Sequence, residues 1–244
     1  MQHKRCFSLG VRLILSSSLL LLSACSVPQT DVTPIAKDTS SPNPQPEKIG
    51  ADTNPWVAYL INPDYDTNLW NVEPCESNAP FLCVSDAQKN PVGTIELQTW
   101  LLEQRPDFVA ALGKAGLDAM AIDVDDPAQQ PKIQVALKTL VEDHYATVKQ
   151  DLLSGDRQAN KFTAEPPQEI TFCSQSGQFY RFKISDSEGK LQQDSIGYLM
   201  FDGKRLYGVS TAATFDDPPG FTSLDQLQAF EPQLTRIVSN LKCS

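Results

Sequence analysis

Histidine, the side chain that most often moves protons near neutral pH, is almost absent from this chain, which has only His3 and His144. A Ser-His-acid nucleophile would need His144, yet no Gly-x-Ser-x-Gly elbow accompanies it. His144 stands four residues after Leu140 and three after Val141. That spacing puts it on an apolar helical stripe, so a hydrogen-bonded histidine at the core or its margin is expected. No HExxH, GxxxxGK[ST] or GxGxxG sequence occurs. Oxygen ligands do alternate through Asn62, Asp64, Asp66 and Asn68, as they do in calcium loops. Counted from Asn62, Glu73 falls at position twelve, but Thr67 stands where glycine should be. Counted from Asp64, Leu69 and Cys75 occupy those two places. Asp123, Asp125 and Asp126 also lack the frame. Turn capping explains these acids better than a cation. The paired carboxylates of a glycoside hydrolase would leave no mark in sequence order. No catalytic residue, metal or cofactor is therefore assigned.

The N-terminal residues carry a clearer message. Lys4, Arg5 and Arg12 precede a short apolar run from Leu13 to Leu22, interrupted by Ser16, Ser17 and Ser18. The run is too short for a spanning helix, which needs about 20 apolar residues, and it has the anatomy of a secretory leader. It closes on Leu22-Ser23-Ala24-Cys25, which resembles the lipobox of bacterial lipoproteins. That resemblance implies cleavage before Cys25 and two or three acyl chains on the mature N-terminus, enough for stable attachment to a membrane. In enterobacterial lipoproteins an Asp after the cysteine favours the inner membrane, so Ser26 points to the outer one. An extracytoplasmic, periplasmic location follows, or a thylakoid lumen in a photosynthetic source.

An exported chain meets an oxidising compartment, where disulfides are the default for Cys75, Cys83, Cys173 and Cys243. Three pairings are possible. The short separation of Cys75 and Cys83 suits a pinched loop, and Cys173–Cys243 would then pin the C-terminal end to a strand. A zinc site is the alternative, but the spacing fits no zinc pattern.

The chain has 20 basic and 30 acidic residues, a net charge of −10. Cleavage before Cys25 removes three basic residues and no acidic one, leaving 17 against 30, or −13. Such a surface repels nucleic acid and anionic lipid alike, so membrane contact must come from the lipid on Cys25. Residues 25–55 carry six prolines among Ser, Thr, Asp and Lys and no aromatic residue. They read as a tether with a reach on the order of 30 Å, which cannot offset its ordering entropy by burial. A single globular domain is expected over 56–244. Aromatics gather in its first third, at Trp56, Tyr59, Tyr65, Trp70 and Trp100. Core packing accounts for most of them, with Tyr65 and Trp70 the candidates for a protein or carbohydrate contact. The segment Asp216–Phe221 reads as an exposed connector with an apolar tip.

Strand-like runs cover Trp56–Ile61, Leu69–Val72, Phe81–Val84 and Val92–Leu102. A short helix is expected over Pro106–Leu117. A long one runs over Lys132–Leu153, on the stripe Ile133, Leu137, Leu140, Val141, Tyr145, Val148 and Leu152. Strands return at Ile170–Cys173 and Phe179–Ile184. Ile196–Phe201 and Arg205–Ala212 form a hairpin through Asp202-Gly203, a tight-turn signal because both residues tolerate positive φ. A closing helix over Leu224–Leu241 opens on a Ser223/Gln226 capping box, with Pro232 expected to kink or split it. The order predicts an α+β fold, a mainly antiparallel sheet covered by helices and stapled by disulfides. In the Phe179–Ile184 strand, the Ile196–Ala212 hairpin and the closing helix it resembles the PsbP-like α/β/α sandwich, whose members include lumenal photosystem proteins and bacterial lipoproteins. The function expected is a non-catalytic, lipid-anchored module that binds a protein partner in the envelope or lumen. A small-molecule or cation-binding lipoprotein is the second possibility and a carboxylate hydrolase the third.

Overall fold

The computed structural model describes residues 56–59, 65–75, 79–154, 160–172, 175–214 and 220–241, all within one compact unit, Asp52–Ser244. Their strands alternate buried and half-buried side chains, the signature of a sheet with unequal faces. They run β1 (Trp70–Pro74), β2 (Phe81–Asp86), β3 (Pro91–Leu101), β4 (Lys161–Ala164), β5 (Gln168–Phe172), β6 (Gln175–Ser185), β7 (Leu191–Phe201) and β8 (Arg205–Thr214). The sheet order is β1-β2-β3-β8-β7-β6-β4, with β5 also on β6, and every strand pair is antiparallel. The helices are α1 (Trp56–Tyr59), α2 (Pro106–Lys114), α3 (Gln130–Ser154) and α4 (Leu224–Ser239), with a 3-10 turn at Leu102–Gln104. The fold is α+β, as its element order implied.

Helices lie on both faces. The stripe Leu227, Phe230, Leu234, Ile237 and Val238 of α4 packs on Ile95, Leu97, Ile196, Tyr198 and Val209. On the opposite face, α2 and α3 bring Phe108, Leu112, Ile133, Leu137, Val141 and Tyr145 against Tyr180, Phe182, Leu199 and Phe201. The α3 side chains are those its periodicity singled out. Among the described residues, no helix is long and apolar enough to cross a membrane.

Two hairpin turns, one hundred residues apart, share one construction. In β2–β3, Asp86 Oδ1 accepts from the backbone N–H groups of Gln88 and Asn90 at 2.9 and 2.8 Å. In β6–β7, Asp186 Oδ1 accepts from Glu188 and Lys190 at 3.0 and 2.8 Å. Each turn closes with a residue at positive φ, Lys89 at 65° and Gly189 at 84°, the left-handed position of a three-residue hairpin loop.

Several elements depart from the sequence reading. Trp56–Tyr59 is a helical turn rather than a strand, because the Trp56 ring is fully buried and its Nε1–H donates to the Pro80 carbonyl at 3.0 Å. A short apolar run carries no period that could have distinguished the two. In the β7–β8 turn only Gly203 has positive φ. Asp202 contributes its carboxylate instead, accepting from Lys204 and Arg205 N–H. Pro232 lies within a continuous α4 and does not split it. Ser223 caps α4 by accepting from Gln226 N–H, but the Gln226 side chain accepts from Thr222 Oγ1 rather than completing the box. Phe221 is fully buried against Phe230, so the apolar tip of the 216–221 connector is a core anchor. Cys75 and Cys83 form the expected disulfide, with Cα atoms 5.1 Å apart. Cys173, Cys243, Cys25 and the tether lie outside the described residues.

Candidate functional site

The two helical layers cover different parts of the sheet. α4 packs over the β3, β7 and β8 core, whereas α3 lies across β4, β6 and β7, and α2 packs beside it near Phe201 and Leu206. Among the described residues no helix covers the β2–β3–β8 part of that second face. Its outward side chains, Phe81 and Cys83 on β2, Thr94, Glu96 and Gln98 on β3, and Ser210 and Ala212 on β8, are all half-buried. This is a half-open surface of the described sheet.

Register brings four polar groups together there. Tyr180 pairs with Gly197, Gly197 with Ser210, and Ser210 with Glu96, so three polar side chains, with a glycine between the first two, stand in one row across β6, β7, β8 and β3. Gln98 stands two residues along from Glu96 on the same face. Gly197 explains how Tyr180 joins the row. The end of the Tyr180 ring, hydroxyl included, occupies the volume a Cβ at position 197 would need, so the ring lies flat over β7 and directs its hydroxyl toward β8 and β3. Gly208 does the same for Trp100, whose ring edge lies 3.2 Å from the Cβ that position lacks.

The electrostatics of the row are those of unused acceptors. Gln98 Nε2 donates to Glu96 Oε1 at 2.8 Å, while Gln98 Oε1 is buried without a partner among the described residues. Burial pushes the Glu96 carboxyl above its ordinary pKa, against the opposing effect of the Gln98 hydrogen bond. Burial also raises the Tyr180 phenol, with Tyr145 and Glu96 adding to it. At the helical border Arg105 is only 3% exposed. Its guanidinium lies 4.6 Å from the centre of the Trp100 ring and grips Asp107 through Nε and Nη2 at 3.0 and 2.8 Å. His144 packs edge-on against Tyr180 and Phe182. Burial, and then the charge of Arg105, push its pKa below the ordinary histidine value. No hydrogen bond to its ring is made among the described residues, so the expected hydrogen-bonded histidine is instead an aromatic-packed one.

A second charged cluster shows the contrast. Arg181 donates to both oxygens of fully buried Asp194 at 2.9 and 2.8 Å and to Glu231 of α4 at 3.2 Å. Lys183 approaches Asp194 at 3.8 Å. Its charges are mutually satisfied, and the cluster ties β6, β7 and α4 together.

The other sequence candidates lie elsewhere. Trp70 is 8% exposed and packs edge-to-face on Phe230 at 5.2 Å. Tyr65 packs on the same core, and its hydroxyl donates to Val72 O and accepts from Val72 N at the free edge of β1. Both rings are turned into the molecule, on the face opposite the polar row. Asp66 and Asp123 bond backbone N–H groups two residues ahead, the turn-capping role. Asn62 and Asp64 lie outside the described residues. Among the described residues no three His, Cys, Asp or Glu side chains converge as a metal site would require.

No protein-family model and no curated protein matches the chain. Among solved structures it is similar to the solution structure of cyanobacterial PsbP (CyanoP) from Synechocystis sp. PCC 6803. That likeness covers 67% of this chain and 74% of that one, at 6% identity and a TM-score of 0.39. The resemblance is weak. No residue role passes from it to this chain.

Proposed function

We propose that this protein is a lipid-anchored, extracytoplasmic binding module that holds a protein partner without acting on it chemically. Cys25, in its Leu22-Ser23-Ala24-Cys25 setting, supplies the anchor, residues 26–55 the reach, and the half-open β2–β3–β8 face the contact surface. The carrying observation is that face: polar side chains stand in register on a rigid sheet beside a helical border, with acceptors left over. Rigid placement of a few unsatisfied polar groups is what a recognition surface needs. The Cys75–Cys83 disulfide suits a chain that matures in an oxidising compartment.

The test is mild-detergent purification of the tagged chain from its native membranes, beside two variants. Cys25→Ala is expected to leave the membrane fraction. Thr94→Arg, which places a bulky cation on the β3 face, is expected to stay membrane-bound and lose the stoichiometric companion. A Cys25→Ala chain still firmly bound to membrane would overturn the anchor, and a companion retained by Thr94→Arg would overturn the surface.

A further inference from the structure

We propose that the Tyr180–Ser210–Glu96–Gln98 row receives the guanidinium of an arginine side chain carried by the partner protein. This deepens the binding-module reading and rests on it.

The row holds hydrogen-bonding capacity that the described residues leave unused. A carboxylate offers about four acceptor positions, and Glu96 uses one, on Gln98. Among the described residues no lysine or arginine pairs with it, whereas Asp107 and Asp194 each hold a guanidinium in a two-pronged grip. Next to it, Gln98 Oε1 is a second acceptor, shut off from water and left without a donor. A buried unsatisfied oxygen of this kind costs about 1–3 kcal/mol. Tyr180, 8% exposed, adds a hydroxyl at the end of a ring that lies over Gly197. The Gly197 gap aims it along the row toward Ser210 and Glu96. Two acceptors, two hydroxyls and one uncompensated negative charge call for a positively charged donor.

The shape selects which one. Glu96 and Gln98 lie two residues apart on one strand, so their backbones are separated by about 6.6 Å. The surface beside them is made by Ala212, the Tyr180 ring over Gly197 and the Trp100 ring edge over Gly208. A planar guanidinium, with five N–H donors in a rigid fork, can place two on the Glu96 carboxylate and turn a third toward Gln98 Oε1. An ammonium is a compact point charge and cannot span both. Calcium takes six to eight oxygens, and one carboxylate on an open floor does not supply that set. Arg105 of the helical border holds Asp107 through Nε and Nη2, its Nη1 is buried without a partner among the described residues, and it makes no ion pair with Glu96. The net charge of −10 favours the approach of a basic partner.

The test is a two-dimensional NMR titration of the full chain in detergent micelles with a blocked Gly-Arg-Gly peptide. Its citrulline counterpart, equal in shape but uncharged, is run in parallel. The arginine peptide is expected to shift the Trp100 indole and the amides around Glu96, Gln98 and Ser210 at millimolar concentration. The citrulline peptide should bind at least about tenfold more weakly. Glu96→Gln is expected to abolish the difference between the peptides. Ser210→Lys, which tethers a competing cation in the row, is expected to abolish the response, so one misfolded variant does not end the test. Equal shifts from both peptides, shifts retained in the variants, or a response to calcium alone at the same residues would overturn the proposal. A chain that captures its membrane partner yet ignores the arginine peptide would overturn this inference and leave the binding-module reading standing.

Discussion

Lys89 and Gly189 occupy equivalent positions in two turns of the same construction, and only one of them is a glycine. Lys89 holds φ at 65°, a region that costs an ordinary L-residue about 1–2 kcal/mol. Glycine adopts it freely but loses about 0.5–1 kcal/mol more backbone freedom on folding. Lys89→Gly should therefore stabilise the domain by about 0.5–1 kcal/mol. Gly189→Ala should destabilise it by a similar amount, again about 0.5–1 kcal/mol. The second substitution is clean, because nothing lies within 4 Å of the Cβ it adds, so the effect is conformational and not a clash. Lys89 is exposed and makes no ion pair among the described residues, so no contact is lost with it. Urea unfolding followed by tryptophan fluorescence should move the midpoint up for the first variant and down for the second, with unchanged slope. The double variant should return close to wild type, since the turns share no neighbours. A midpoint that falls in Lys89→Gly, or stays put in Gly189→Ala, would refute the claim that the left-handed position governs both turns.

Other expectations follow from single contacts. Tyr65→Phe removes the hydroxyl that serves both Val72 N and Val72 O; it should cost about 1–2 kcal/mol and introduce concentration-dependent association, read by sedimentation velocity. Cys75→Ser with Cys83→Ser opens a loop with a sequence separation of 8. By chain entropy this loses about 2.5 kcal/mol, a fall of roughly 5–10 °C in the melting temperature for a domain of this size. His144 is held neutral in the folded state, with a pKa below the ordinary 6.5, so the unfolded chain takes up its proton first as pH falls. Stability should be full above pH 6.5 and decline as pH drops from there toward the lower folded value. His144→Gln should flatten that part of the profile relative to wild type in a melting series, and an unchanged profile would refute it.

Much of the fold was legible because long periodic segments announce themselves. The α3 stripe from Ile133 to Leu152 and the α4 stripe from Leu227 to Val238 face the sheet as their spacing demands. Strands β2, β3, β7 and β8 overlap the strand-like runs read from the sequence, with β7 starting earlier, at Leu191. What escaped the sequence was decided by distant partners. Trp56 turns helical to bury its ring, and β4 forms because Lys161–Ala164 finds the edge of β6. The polar row was invisible for the same reason, since Tyr180, Ser210 and Glu96 meet only through the register of four strands. Two signals did point toward it. Thr94, Glu96 and Gln98 keep one side of β3 polar, and Gly197 and Gly208 sit inside strands, where glycine marks a close approach.

The free edge of β1 bears on how this protein can associate at all. Its outward-facing backbone positions are Trp70, Val72 and Pro74. The Trp70 N–H is taken by Asp66 O at 3.0 Å, Val72 is occupied on both groups by the Tyr65 hydroxyl, and Pro74 has no N–H to offer. No donor on that margin is left to template another strand. Association by strand addition propagates, since each added chain presents a new margin, whereas association through a face ends when the face is filled. With this margin closed, copies of the chain crowded side by side do not start a polymer from β1.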